Sequence, residues 1–102
     1  MDGFYRTPDG AREIKKDDDG ELTYWFDWTD WLGADRIDTQ VLALADSPTM
    51  ELVGSGTIHD GLRVEAKVRG GAIRDRAKLS CKITTVAGEV DERTFYIRVV
   101  EK

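Results

Sequence analysis

The single histidine, His59, invites a catalytic interpretation because it lies beside Asp60 and close to Ser55 in the segment GSGTIHDG. Nucleophilic catalysis needs a nucleophile, a base and a group that orients the base. The sequence contains no G-x-S-x-G turn of the kind that exposes a catalytic serine. The GSG stretch also lacks the strand–helix context of a phosphate-binding loop. The pattern therefore predicts that His59 is a turn residue.

Two carboxylates, Asp27 and Asp30, lie among tryptophans in the segment YWFDWTDWL (24–32). Glycosidases combine two carboxylates with aromatic walls, but a chain of 102 residues offers little room for a deep cleft. Either Asp27 or Thr29 is suited to cap a short helical turn near residues 28–32, which Gly33 would end. We therefore interpret the aspartates as a cap and a turn, and we predict no catalytic residue.

Metal-binding patterns are also missing from the sequence. The acidic segment DDDGE (17–21) does not fit the calcium loop with its distal glutamate, and one histidine with one cysteine cannot supply a zinc site. The cysteine, Cys81, cannot form a disulfide within the chain, which suits folding in a reducing cytoplasm. Its place in an alternating segment indicates a small buried apolar residue. We predict no metal, no cofactor and no enzymatic activity.

Length and composition favour one domain. The chain has 102 residues, of which 40% are hydrophobic and 34% charged, and domains most often contain about 100–150 residues. No apolar run approaches the ~18 residues of a membrane span, and no signal peptide is evident at the start. We predict a single domain over residues 21–102, preceded by an N-terminal arm or short edge strand over residues 1–20.

The net charge of −5 argues against a nucleic-acid partner, because such binding depends on Lys and Arg that neutralise phosphates. The charge is unevenly distributed: residues 1–51 hold 5 basic and 13 acidic residues, whereas residues 52–102 hold 10 and 7. The basic segment RGGAIRDRAK (69–78) includes Arg74 and Arg76. This asymmetry is suited to orienting a head-to-tail contact with a neighbour. The alternative, which sheet topology favours, is that strands of both halves interleave and mix their charges.

The dominant periodicity is two. The segment LRVEAKVR (62–69) alternates apolar and charged residues, as do AKLSCKIT (77–84) and RTFYIRVVE (93–101), and this alternation is typical of half-buried strands. Further strands are predicted over residues 22–28, 36–45, 50–53 and 56–58. With turns between them and almost no helical pattern, about seven short strands indicate an antiparallel immunoglobulin-like β-sandwich. The paired cysteines of antibody domains are absent.

The three tryptophans cannot all face the core. Alternation places Tyr24, Phe26 and Trp28 on one face together with Leu22, so that Trp25 must point to the other face. Trp31 follows on the helical turn. Because tryptophan is enriched in protein interfaces, we predict that the side chains left outside the core contact a partner. The candidate partner contacts are Trp25, Asp30, Trp31, Arg74 and Arg76.

Two segments resemble a known family. The motifs DWTDWLG (27–33) and DERTF (91–95), within residues 15–37 and 83–102, are similar to the DW-DWLG and DER-F patterns of small fiber-tail adaptor proteins of tailed bacteriophages. The resemblance covers the first and last thirds of the chain. The middle is more charged than the Thr-, Ser- and Gly-rich middle of that family.

This resemblance implies an immunoglobulin-like sandwich without enzymatic activity. It also implies a place in the tail of the virion, after synthesis in the host cytoplasm. The expected partners are other phage tail proteins, namely adaptor and fibre subunits, with several copies of the chain in each particle and no nucleic acid or membrane. The alternative hypothesis is a carbohydrate- or protein-binding immunoglobulin-like module of a bacterium, for which the exposed aromatic residues are the motivation.

Overall fold

Nine strands and one short helix make up the computed structural model, which describes residues 5–6, 12–17, 20–47 and 49–101. In chain order the elements are β1 (Tyr5–Arg6), β2 (Arg12–Asp17), β3 (Glu21–Asp27), α1 (Thr29–Leu32), β4 (Ile37–Ala45), β5 (Met50–Leu52), β6 (Thr57–His59), β7 (Arg63–Gly70), β8 (Arg76–Thr85) and β9 (Val90–Val100). Of the predicted N-terminal arm, residues 1–4, 7–11 and 18–19 lie outside the described residues.

The strands form two sheets that pack face to face. Sheet A has the order β1-β2-β9-β8-β4. In sheet B, β3 pairs with one side of β7, and the short strands β5 and β6 both pair with β7 as well. The predicted all-β sandwich is therefore confirmed.

The core lies between the sheets and follows the alternation of the sequence. Every second residue of β7 up to Val68 and of β8 is buried, as is every second residue of β9 from Phe95 to Val99. Tyr24 and Phe26 of β3 face Phe95 of β9, with ring centroids 5.7 and 5.1 Å apart. Cys81 is fully buried, as predicted. Leu22 is opposite the buried Val68 in the pairing of β3 with β7, which agrees with the predicted face. It lies near the start of β3 and 38% of its surface stays exposed.

Strand β2 departs most clearly from the predicted pattern. It pairs in parallel with β9, from Glu13 opposite Tyr96 onward, whereas the sequence predicted an antiparallel arrangement. Its residues Glu13 and Lys16 are both buried at 1% exposure. Glu13 accepts hydrogen bonds from Arg76 and Arg98 at 2.6 and 3.2 Å, and Lys16 donates one to a backbone carbonyl. These partners compensate for the loss of hydration that burial imposes on the charges.

Two turns fix the ends of the sandwich. Between β8 and β9, Gly88 has a positive φ of 93° and its N–H donates to the Thr85 carbonyl, which closes the predicted hairpin. Between β7 and β8 the chain crosses from sheet B to sheet A. Here a Cβ on Gly70, at φ 82°, would stand 2.6 Å from the Thr49 carbonyl oxygen. Glycine is therefore needed at this close approach of backbone to backbone.

No helix among the residues that the structure describes has the length and apolar character needed to cross a membrane.

Candidate protein interface

The two motifs that carry the family resemblance meet in space. Trp28, at the end of β3, is fully buried, and its Nε1 donates a 2.8 Å hydrogen bond to Asp91 Oδ2 at the start of β9. Arg93 lies over the Trp28 ring with its guanidinium carbon 4.8 Å from the ring centroid, and its Nε is 3.5 Å from Asp91. The motif around Trp28 is thus fastened to the motif around Arg93 by an indole–carboxylate bond and a cation–π contact.

Asp27 organises the start of α1. Its Oδ1 accepts hydrogen bonds from the Thr29 hydroxyl at 2.5 Å and the Thr29 N–H at 2.8 Å. These bonds, with smaller contributions from the positive charges of Arg63 and Arg93, lower the pKa of the Asp27 carboxyl. Trp28 occupies the N-cap position without a side-chain capping bond. Of the two residues predicted to cap the helix, Asp27 is therefore the acceptor, and Thr29 donates to it.

Helix α1 presents its polar and aromatic side chains outward. Leu32 is buried and anchors the helix to the core, whereas Asp30 and Trp31 are exposed. Gly33 ends the helix at φ 60°, as predicted. The Trp31 ring is 45% exposed and stacks on no ring or guanidinium of the described residues. This arrangement holds a large apolar ring in the solvent on a short, fixed support.

A recess of about 530 Å³ lies beside this ring, and Arg93 closes one side by donating a 2.7 Å bond to the Asp27 carbonyl. We call the residues that line the recess the α1 patch; they are Asp27, Thr29, Asp30, Trp31 and Arg93.

Trp25 occupies a different surface, the outer face of sheet B. Its ring is 42% exposed, as the alternation predicted. His59 meets the ring edge-on with centroids 4.9 Å apart, and the Arg63 guanidinium carbon lies 4.9 Å from the ring centroid. His59 Nε2 is also 2.8 Å from Glu65 Oε1. His59 therefore belongs to this surface cluster. It is the last residue of strand β6 and not a turn residue as predicted, because the turn begins at Asp60.

The two predicted arginine contacts lie far from α1. Asp27 pairs with Arg63 at one end of β7, and the turn that contains Arg74 follows the other end of β7. Arg74 is exposed beside Ile73 and has a positive φ of 80°. The Arg76 guanidinium is instead engaged by residues of the same chain, because it donates to Glu13 and its central carbon lies 3.9 Å from the centroid of the Tyr96 ring.

The structure thus brings together Asp30 and Trp31, but places Trp25 and the arginines elsewhere. Sequence reasoning missed the roles of Asp91 and Arg93, although both belong to the DERTF motif. The available signal was that the family resemblance pairs the DERTF motif with the tryptophan-bearing DWTDWLG motif. Across the described parts of the chain, no group of three or more His, Cys, Asp or Glu side chains is placed to hold a metal ion.

A comparison with protein families agrees with these motifs. Residues 16–98 match the family model described as podophage GP4 fiber-tail adaptor protein gp77. The match includes both the Trp28 motif and the Arg93 motif, and it covers most of the chain. No curated protein matches the sequence. On the strength of the matched span, this chain belongs to the podophage GP4 fiber-tail adaptor protein gp77 family.

Proposed function

We propose that this chain is a non-enzymatic structural protein of the phage tail, which joins the tail to a fibre or to another tail component by protein–protein contacts. Family membership supports the adaptor role. The observation that carries the choice of surface is the exposed Trp31 ring on α1, since solvent-exposed tryptophans on rigid supports are frequent anchors of protein interfaces. The α1 patch is the first docking surface.

An adaptor needs a second surface for its second neighbour. The turn that contains Ile73 and Arg74 lies at the opposite end of the molecule, whose longest dimension is 42 Å. Ile73 is 44% exposed and Arg74 is exposed beside it. This pair offers an apolar contact with a positive charge, which differs in character from the α1 patch. We assign the second contact to this turn, and we leave Arg76 out because its guanidinium is already engaged.

The carbohydrate-binding alternative depends on Trp25. The Arg63 guanidinium already lies over this ring, and His59 meets its edge. A sugar that stacked on Trp25 would compete with these contacts. The geometry therefore favours packing of Trp25 against Arg63 and His59 on the outer face of sheet B over sugar binding. Titration of the protein with glycans, followed by tryptophan fluorescence, distinguishes the two functions. We expect no spectral shift, and a saturable shift lost in Trp25→Ala would favour the alternative.

The proposed function is tested with the fibre and tail subunits of the same particle. We expect the chain in purified virions, located in the tail by particle reconstruction, and its absence from virions would contradict the proposal. Trp31→Ala should weaken binding to one subunit at least about 30-fold, the effect of removing an interface anchor worth about 2 kcal/mol. Trp25→Ala is the matched control and should change that affinity little. Arg74→Glu should weaken binding to the other neighbour instead.

A further inference from the structure

Strand β4 leaves one edge of sheet A open. It pairs with β8 on one side only and is the last strand of the sheet order. Among the described residues, Ile37 donates its N–H to the Gly61 carbonyl. Within the parts of the chain that the structure describes, the backbone groups of residues 38–45 have no backbone hydrogen-bond partner beyond β8. A strand edge of this kind presents a row of N–H and C=O groups to which another chain can bond.

The sequence of this edge lacks protection by charge or proline, although the β5–β6 loop reaches the Gln40 side chain, whose Nε2 donates a 2.8 Å hydrogen bond to the Ser55 carbonyl. Proteins commonly protect open edges with charges, proline, bulges or very short strands. The segment TQVLALA (39–45) contains no charge, proline or glycine, and the register irregularity of β4 precedes it, between Ile37 and Thr39. In sheet B the corresponding edge is divided into β5 and β6 of three residues each, with positive-φ Gly54 and Gly56 between them.

Apolar side chains on both faces of β4 are incompletely covered. Val41 is 65% exposed on the outer face of sheet A. Leu42 and Leu44 point to the inner face, where they pack against the core but stay partly exposed. A strand laid beside β4 would therefore cover apolar surface on both faces as well as bond the open backbone edge.

The charges at the ends of the segment discriminate between possible occupants. Asp38 and Asp46 flank residues 39–45, and both are exposed. If two copies of β4 paired antiparallel so that all of 39–45 matched, Asp38 of each copy would stand opposite Asp46 of the other. Like charges directly opposite each other destabilise strand pairs, and each copy carries a net charge of −5. A foreign strand with basic residues at those positions has the complementary charge.

We propose that β4 accepts an additional strand from a different tail protein, an extended segment that is apolar in its centre and basic at both ends. This inference rests on the proposed function, and it assigns to the adaptor a contact made through backbone hydrogen bonds, separate from the α1 patch.

Hydrogen exchange of the full chain tests the proposal, measured alone and with the purified fibre and tail subunits of the same particle. In one of the two complexes we expect those amides of residues 39–45 that point away from β8 to exchange at least tenfold more slowly than in the free chain, because the other amides already bond β8. If a subunit binds and these amides stay unprotected, the β4 proposal is wrong and the adaptor function stands. If neither subunit binds, the proposed function itself fails and the β4 contact fails with it.

Matched variants test the chemistry of the edge. Val41→Lys places a charge at its centre and should weaken the protecting complex at least tenfold, whereas Val90→Lys, at a valine of β9 that is 56% exposed and separated from β4 by β8, should change it less than twofold. Asp38→Asn with Asp46→Asn should also weaken it several-fold and reduce its salt dependence. Equal effects of the two lysine variants, or protection of residues 39–45 that grows with the concentration of the chain alone, would overturn the proposal.

Discussion

The indole Nε1 of Trp28 donates a 2.8 Å hydrogen bond to Asp91. This bond connects the residue that follows β3 of sheet B to the start of β9 in sheet A. Trp28 has no exposed surface, so its N–H has no access to solvent as an alternative partner. The same carboxylate is an ion-pair partner of Arg93. Asp91 therefore fixes both the core tryptophan and the arginine that borders the α1 patch.

Replacing Asp91 by Ala should lower the free energy of unfolding by about 2 kcal/mol, because a buried N–H loses its acceptor. Asp91→Asn keeps an oxygen acceptor and should cost less. Urea unfolding followed by tryptophan fluorescence measures both. The matched control is Glu92→Ala, at the exposed neighbouring position. A loss from Asp91→Ala no larger than that of the control would mean that the Trp28 bond contributes little.

Tyr24→Phe should leave the stability unchanged or raise it by about 1 kcal/mol. The Tyr24 hydroxyl is buried and has no hydrogen-bond partner among the described residues, and burial raises the pKa of this phenol. An unpartnered buried hydroxyl is unfavourable, so its removal avoids a desolvation cost. Tyr96→Phe, at a partly exposed ring, is the control for the loss of a hydroxyl in general. A clear destabilisation specific to Tyr24→Phe would reveal a partner for the hydroxyl.

Cys81→Ser should destabilise the fold by roughly 1–3 kcal/mol, because it places a hydroxyl in a fully buried apolar site. The thiol itself should react with a labelling reagent at pH 8 only as fast as the chain unfolds. Both results follow from the inward direction of Cys81 on β8. Labelling that is rapid and independent of denaturant would place the thiol at the surface.

The same residue gives an expected dependence on alkaline pH. Burial raises the pKa of the Cys81 thiol from 9.0 to about 12, so the unfolded chain ionises first as the pH rises. The contribution of the neutral thiol to stability is therefore complete below pH 9 and is lost between pH 9 and 12, by at most about 1.4 kcal/mol per pH unit. Cys81→Ala should lose less stability than the wild type between pH 8 and 10.5. Parallel curves would contradict this.

Asp27 should titrate below the ordinary range of an aspartate, because Thr29 donates two hydrogen bonds to its charged form. A lowered folded pKa contributes stability that is present above the unfolded value and is lost as the pH falls through the folded value. Carboxyl NMR titration of the wild type and of Thr29→Ala measures the effect. We expect a higher pKa for Asp27 in the variant, and identical titrations would show that the hydroxyl bond is unimportant.

The strands that could be predicted from the sequence are those whose burial is decided by alternation. Every second residue of β7 from Val64 to Val68, and of β8 from Ala77 to Ile83, is apolar and fully buried, so the period of two was sufficient to place Val64 or Cys81 inside. Strand β2 was not predictable in this way. Its buried residues include Glu13 and Lys16, whose partners Arg76 and Gly70 lie far along the chain. No local pattern indicates that such charges are buried.

For the candidate interface, the sequence likewise predicted which side chains are exposed but not which residues contact them. The exposure of Trp25 and Trp31 followed from strand alternation and the position of the helical turn. The difference between them did not, because Arg63 and His59 reach Trp25 only through the pairing of β7 with both β3 and β6. Arg76 was predicted from local charge alone, and its engagement by Glu13 depends on β2, the strand that alternation could not identify.

The parallel pairing of β2 with β9 has a consequence for synthesis. Strand β2, from Glu13 onward, cannot form its backbone hydrogen bonds until β9 has been synthesised, and β9 is the last of the described strands to leave the ribosome. Until then sheet A is incomplete, and the side chains of Glu13 and Lys16 remain hydrated. Pairing between such distant segments makes folding slow, so we expect the native state to form only after β9 has left the ribosome. The complete sheet A, with Glu13 bonded to Arg76 and Arg98, therefore forms only once these two distant segments have paired.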